Sequence, residues 1–210
     1  MNKDTTCIIL SGGRSSRMEF DKSFLKIGDK TLIEFTLNFV KKNFNKIIII
    51  TDKPVNYNFL QIPAFKDIIP DKGPISGIHS GLKYSQTKKN FFIPVDMPFI
   101  NTEVINCIVN YKTNRLITVP SSGGFIQTLC GRYDKECIEY IEKKLKSDLS
   151  SLETSEYKKN KKFKLLDLIK EVGAEIIDVS NQPFYNDDLF FNINTPADIE
   201  YVKNNLASAR

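Results

Sequence analysis

The stretch Thr6-Cys7-Ile8-Ile9-Leu10-Ser11-Gly12-Gly13-Arg14-Ser15-Ser16-Arg17-Met18-Glu19-Phe20-Asp21-Lys22 decides the reading of this chain. Its opening apolar run closes on Ser-Gly-Gly, the pattern of a buried strand entering a tight turn. Glycine lets a bulky anion come close to the backbone, and successive N–H groups line an anion-binding concavity. Arg14, Arg17 and Lys22 then supply three cations within nine residues. Arginine forks onto phosphate oxygens and lysine acts as a point charge, so the segment suits a polyphosphate. A solvated basic turn is the plainer alternative. The glycine spacing is neither G-x-x-x-x-G-K-S/T nor G-x-G-x-x-G, which disfavours a P-loop and a standard dinucleotide fingerprint.

Outward from this turn, strand and helix signals alternate. Residues 31–44 carry Ile33, Leu37, Val40 and Phe44 at helical spacing, with Thr31 as cap. Four isoleucines in 46–51 predict a strand covered on both faces, as in a parallel sheet. Gly73-Pro74 opens a helix over 75–86, with proline suited to the first helical position. Residues 90–95 predict a strand ending at Asp96, and 102–111 a helix. Segments 116–120 and 126–133 predict a hairpin about Ser121-Ser122-Gly123-Gly124, followed by a helix headed by Asp134. The polar, lysine-rich stretch 147–164 reads as a flexible surface excursion. A helix stopped by Gly173, a strand over 175–179 and a last helix behind Asn194-Thr195-Pro196 complete the chain. The alternation predicts an α/β fold, a three-layer, doubly wound, mostly parallel sheet. With 210 residues it is expected to form a single domain, its nucleotide-binding part about 1–100 and its acceptor-binding part about 101–210.

Composition narrows the function. Net charge is +5, yet only five of the 30 basic residues are arginine, and no helix-turn-helix, RNA-recognition or zinc-finger pattern organises them; no nucleic-acid partner is expected. No apolar run approaches the ~20 residues that span a bilayer, and an apolar strand begins within six residues of the start. A soluble, cytoplasmic protein with no membrane partner is the expectation. Cys7, Cys107, Cys130 and Cys137 lack zinc-ligand spacing, and His79 is the single histidine, better suited to a structural role than to cysteine–histidine catalysis.

Two further segments carry chemistry. In Val95-Asp96-Met97-Pro98 a carboxylate follows a buried strand, where open α/β sheets bind ligands. Facing a triphosphate it is a natural Mg²⁺ ligand, since magnesium takes one or two carboxylates and completes its shell with phosphates and water. Capping of the next turn is the alternative. In Asp71-Lys72-Gly73-Pro74-Ile75-Ser76-Gly77 a helix start exposes N–H groups, small residues admit a flat ring, and Asp71 can accept hydrogen bonds from a base or ribose. A plain proline-led helix start explains the same residues.

Together and in order, Leu10–Lys22, Gly73–Ile78, Pro94–Phe99 and Asn192–Glu200 resemble the molybdenum cofactor guanylyltransferases, the MobA family of nucleotidyltransferases. The glycine turn alone is also similar to that of sugar-nucleotide and methylerythritol cytidylyltransferases. The resemblance implies a nucleotide-diphospho-sugar-transferase-like fold and transfer of GMP from GTP to the terminal phosphate of molybdopterin, with release of pyrophosphate. It implies that Leu10, Ser11, Gly12 and Gly13 meet the nucleotide through backbone, Lys22 its phosphates, Asp71 the nucleoside, and Asp96 the bound Mg²⁺, with Asp52 a looser match just after the second strand. Arg17, Lys22 and Asp96 would stabilise charge during in-line attack, and molybdenum-insertion or molybdoenzyme chaperone proteins would be transient partners. Three departures stand out: Glu19 where the family has glycine, expected to point outward; Gln127-Thr128-Leu129 for Gln-Pro-Leu; and the length of 147–164. A cytidylyltransferase acting on molybdopterin or a sugar-alcohol phosphate, and a GTP-binding protein without turnover, are the competing readings.

Overall fold

A computed structural model describes residues 2–12, 21–150 and 164–206, the side chains of 146–150 excepted. The expectations for Gly13, Arg14, Arg17 and Glu19, and for 151–163 of the lysine-rich stretch, lie outside the described residues.

In chain order the elements are β1 (Asn2–Leu10), a small hairpin of β2 (Lys26–Ile27) and β3 (Lys30–Thr31), α1 (Leu32–Val40), β4 (Phe44–Ile50), β5 (Ala64–Phe65), α2 (Pro74–Tyr84), β6 (Lys89–Pro94), α3 (Thr102–Val109), β7 (Ile117–Ser122), β8 (Phe125–Ile126), β9 (Gly131–Asp134), α4 (Cys137–Ser150), α5 (Leu165–Val172), β10 (Ala174–Asp178) and α6 (Pro196–Asn205). The main sheet runs β10-β7-β9-β6-β1-β4-β5, with β8 paired to β7. β1 is parallel to both β4 and β6, and β5 and β10 are parallel to their partners, whereas β9 runs antiparallel to β6 and β7. The sheet is therefore mostly parallel, as the sequence predicts.

Alternation along the central strands builds two cores. Cys7, Ile9, Ile47, Ile49, Phe91 and Ile93 face the layer of α1, α3 and α6. Ile8, Ile48, Ile50 and Phe92 face α2, α4 and α5. The consecutive isoleucines are thus divided between the two faces, the period-2 consequence of a strand covered on both sides. Each isoleucine removed from water contributes about 1.5–3 kcal/mol, which concentrates stabilisation around β1 and its neighbours.

The structure corrects several sequence-predicted boundaries. α1 starts at the Thr31–Glu34 capping box but ends at Val40. Phe44, expected on its apolar stripe, instead opens β4 and stacks on Phe91, with ring centroids 5.6 Å apart. The expected strand over 126–133 is interrupted, because only Phe125–Ile126 and Gly131–Asp134 pair with neighbours. Asp134 does not head a helix: it ends β9 with its carboxylate 3.4 Å from the buried Arg132 Nε, and α4 begins at Cys137. Residues 147–150 continue α4, so the surface excursion does not begin at 147. Among the described residues no helix is long and apolar enough to cross a membrane.

Candidate active site

The order of strands selects the site. From β1 the chain proceeds to β4 and β5 on one side and returns to β6 on the other, so the carboxyl ends of β1 and β6 flank a topological switch point. That crevice is where open α/β sheets receive ligands, and the turn after Leu10 and the carboxylate of Asp96 both arrive there.

At the β1 end, the Ser11 N–H donates to the Ile50 carbonyl at 2.8 Å and the Val95 N–H donates to the Leu10 carbonyl at 3.0 Å. These backbone groups are held in the sheet, so Gly12 is the first residue past the ladder. A Cβ on Gly12 would lie 3.6 Å from the backbone of Thr51 and Asp52, which brings the Gly12 turn beside Asp52 at the end of β4. The Ser11 side chain points inward: its Oγ lies 2.5 Å from the Ser23 hydroxyl and 2.8 Å from that of Tyr57. Tyr57 also donates to the Asp21 carboxylate at 3.2 Å, and burial pushes its phenol up. This hydroxyl cluster ties Ser11 to Asp21 and Ser23, and Asp21 caps the short 3₁₀ turn Lys22–Phe24 by accepting from the Ser23 N–H at 3.0 Å.

Lys22 is thereby aimed across the sheet edge. Its ammonium donates to the Ile193 carbonyl at 2.8 Å and to Asn194 Oδ1 at 3.2 Å, while the Ile193 N–H donates to the Asp96 carbonyl at 3.0 Å. One backbone unit thus joins Lys22 to Asp96. Burial raises the Asp96 carboxyl above its ordinary value, and the Lys22 charge opposes that rise. The two sequence-predicted residues meet at one place. Asn194 is a residue of this site that sequence reasoning assigned no role; the signal available was its position just before the Thr195 cap of α6.

On the far side of the switch point, Gly77 of α2 packs on Leu10, whose Cδ2 would lie 3.0 Å from a Cβ there. The helix start at Gly73-Pro74 is kept as predicted, with Gly73 at φ 73°, in a region that favours glycine. Asp71 precedes it in an exposed loop at φ 63°. A second carboxylate, Asp67, was missed by the sequence reading. It lies two residues beyond β5, half-buried, its Oδ1 buried without a hydrogen-bond partner among the described residues. Burial is the largest cause of its raised carboxyl, Asp52 adds to it, and Ser80 and His79 oppose it. An isolated Asp beside the apolar pair Ile68-Ile69 carries no periodic signal.

Among the described residues no three histidine, cysteine or acidic side chains are grouped to cage a metal. Asp96 is a hard oxygen donor held at the crevice, and its burial means that a cation would relieve the cost of its charge. A single carboxylate of this kind fits Mg²⁺ that arrives with phosphates and keeps waters, and does not fit an all-protein site. Cys7 and Cys130 are inert by environment: both are fully buried, and burial pushes the Cys130 thiol up to about 12.

A doubly wound sheet whose switch point brings together Gly12, Lys22 and Asp96 has the layout of a nucleotide-binding domain. Comparison with known proteins makes the assignment specific. The chain belongs to the MobA-like NTP transferase domain family, whose model matches residues 7–158. It is 39% identical over 145 residues to a Clostridium perfringens protein (strain SM101) named "Probable molybdenum cofactor guanylyltransferase", covering 69% of this chain and 73% of that one. A protein of the same name from Peptoclostridium acidaminophilum is 35% identical over 199 residues, 90% of this chain and 84% of its own. Among solved structures, molybdopterin-guanine dinucleotide biosynthesis protein A from Archaeoglobus fulgidus superposes with a TM-score of 0.77 at 19% identity, covering 97% of this chain and 99% of that one, a likeness of fold. The mostly parallel sheet with helices on both faces is the architecture this chain shares with that protein.

Proposed function

We propose that this protein is a molybdenum cofactor guanylyltransferase, moving GMP from GTP to the terminal phosphate of molybdopterin. An oxygen of that phosphate attacks the α-phosphorus of GTP in line, the bond from that phosphorus to the α–β bridging oxygen breaks, and pyrophosphate leaves. Such transfers depend on positioning and charge stabilisation, so no protein nucleophile is needed. The observation that carries the reading is the convergence of Lys22 and Asp96 on the Ile193 backbone at the switch point.

In this reading Gly12 and Gly13 admit the phosphates against backbone, and Lys22 and Arg17 balance charge that grows on the departing pyrophosphate. Asp52, Asp67 and Asp71 form the nucleoside side of the crevice. Asp96 would hold Mg²⁺, which when bound neutralises phosphate charge and orients the phosphates. The acceptor enters from the side of β7 and α6, where Asn194 is already engaged by Lys22. A cytoplasmic setting and hand-over to molybdenum-handling proteins complete the proposal.

The test is pyrophosphate release by the purified chain with molybdopterin and either GTP or CTP. Release with GTP that requires the acceptor and Mg²⁺ is the expected result. Release with CTP alone would transfer the chain to the cytidylyltransferases, and tight GTP binding with no product under any acceptor would make it a sensor.

A further inference from the structure

The 3₁₀ segment Pro54–Leu60 after β4 carries one fully buried side chain, Tyr57, at 0% exposure. Its ring lies against Phe24, with centroids 5.2 Å apart, and a phenylalanine at 57 would make the same contact. What phenylalanine lacks is the hydroxyl, and a buried hydroxyl costs stability unless it is paired. The Tyr57 hydroxyl lies 2.8 Å from Ser11 Oγ and donates to Asp21 Oδ2 at 3.2 Å. Ser11 Oγ lies 2.5 Å from Ser23 Oγ, and Asp21 Oδ1 accepts the Ser23 N–H at 3.0 Å.

Each of these three hydroxyls carries one proton to donate. Donation from Ser23 to Ser11, from Ser11 to Tyr57 and from Tyr57 to Asp21 spends each proton once and ends on a carboxylate. Donors aligned in one direction polarise one another, and the last bond is assisted by charge. Burial, the largest cause, and the Asp21 charge raise the phenol above its ordinary value, so it remains a donor at neutral pH. Tyr57 thus joins two stretches distant from it in sequence, the end of β1 and the Asp21-capped turn Lys22–Phe24.

We propose that Tyr57 is a positioning residue for Lys22: its hydroxyl sets the Asp21-capped turn against Ser11, and so sets where the ammonium meets the phosphates. The inference rests on the nucleotidyltransferase reading above. Lys22 lies between Asp21 and Ser23, whose side chains both belong to the aligned donors and their acceptor. Its own side chain leaves the cluster and reaches the Ile193 carbonyl at 2.8 Å. Lysine bears its charge on a flexible stem, so its direction of approach depends on the backbone that carries it. A small displacement of a group that acts in the transition state costs rate. Tyr57, being fully buried, acts through the turn and not by contact with substrate.

The experiment is pyrophosphate release by the full chain with GTP, molybdopterin and Mg²⁺, read as kcat and as KM for GTP, with melting temperatures alongside. Wild type, Tyr57→Phe, Asp21→Ala and the double variant are compared. Tyr57→Phe keeps the ring and Asp21 is exposed, so neither change opens the core. Tyr57→Phe is expected to lower kcat about three- to tenfold, the span of one lost hydrogen bond, with KM for GTP changed less than about twofold. Asp21→Ala should lower kcat by a similar factor. Because both act through the same bonds, the double variant should fall no more than about twofold below the poorer single variant. Tyr57→Phe with wild-type kcat and only a lower melting temperature would overturn the inference. So would a rise in KM at unchanged kcat, or losses that multiply in the double variant. A wild-type chain that releases no pyrophosphate with either GTP or CTP would instead remove the nucleotidyltransferase reading, and this inference with it.

Discussion

Asp96 serves two opposed demands. Its folded-state carboxyl is raised by burial, so the ionised form is disfavoured in the fold relative to the unfolded chain. A raised carboxyl pKa contributes stability at low pH that is lost as pH climbs through the folded value, so at neutral pH the unliganded fold carries a destabilising charge. Asp96→Asn should therefore melt at or above the wild-type temperature without ligand, yet gain nothing from GTP with Mg²⁺, and lose at least about 10²-fold in turnover. A melting temperature below wild type, or turnover within a few-fold of it, would contradict the role given to Asp96. Lys22→Ala should match the turnover loss, because the ammonium is fixed on the Ile193 carbonyl and its charge acts on that carboxylate. The sequence singled out both by type and place, a lysine past Ser-Gly-Gly and an aspartate at a strand end, with a plainer reading open for each, and the structure brings the two together at Ile193. Asp67 was not singled out, because what distinguishes it is burial beside Asp52 and Ser80, a property of the β5–α2 loop and not of local sequence.

At the scale of elements, the helix starts at Thr31, Gly73-Pro74 and Thr195-Pro196 were readable because capping is local chemistry, whereas Asp134, expected to head a helix, ends β9 instead. Thr31 and Thr195 both form capping boxes, with Glu34 and Asp198, and Pro74 and Pro196 occupy first-turn positions. Helix ends and strand interruptions were less readable. The stripe through Phe44 continues the period of α1, but the turn after Val40 redirects Phe44 into β4, where Phe91 receives it. Close approach is likewise invisible in sequence. Gly81 of α2 leaves so little room that a Cβ would fall 2.6 Å from Phe92 and 2.9 Å from Ile8. Gly81→Ala gains up to about 1 kcal/mol of helix propensity, against about 1–3 kcal/mol for forcing a packed core apart. Net destabilisation of roughly 1–2 kcal/mol is expected by urea denaturation. A stabilised variant would mean that α2 can lift off the sheet, and with it the Gly73-Pro74 start.

For the molecule as a whole, the site is a property of topology. Lys22 and Ile193 are 171 residues apart in sequence, and their contact exists because α6 and the segment before it return over the carboxyl edge of β1 and β6. The doubly wound class followed from strand–helix alternation and the doubly buried isoleucines. The hairpin expected of 116–120 and 126–133 is met by antiparallel pairing of β7 with β8 and β9. The insertion of β9 between β7 and β6 was not legible, since its short, mostly polar sequence holds its place through pairing with both neighbours and through Arg132, which donates to the Tyr111 and Arg115 carbonyls at 3.1 and 3.3 Å. That insertion widens the sheet on the side assigned to the acceptor, leaving the nucleotide side as a compact set of β1, β4, β5 and α2. The most direct measurement of the account is a crystal structure with GTP and Mg²⁺ bound. The triphosphate should run from Gly12 to Lys22 with the metal on Asp96; nucleotide bound elsewhere, with Lys22 still closed on Ile193 and Asp96 bare, would contradict it.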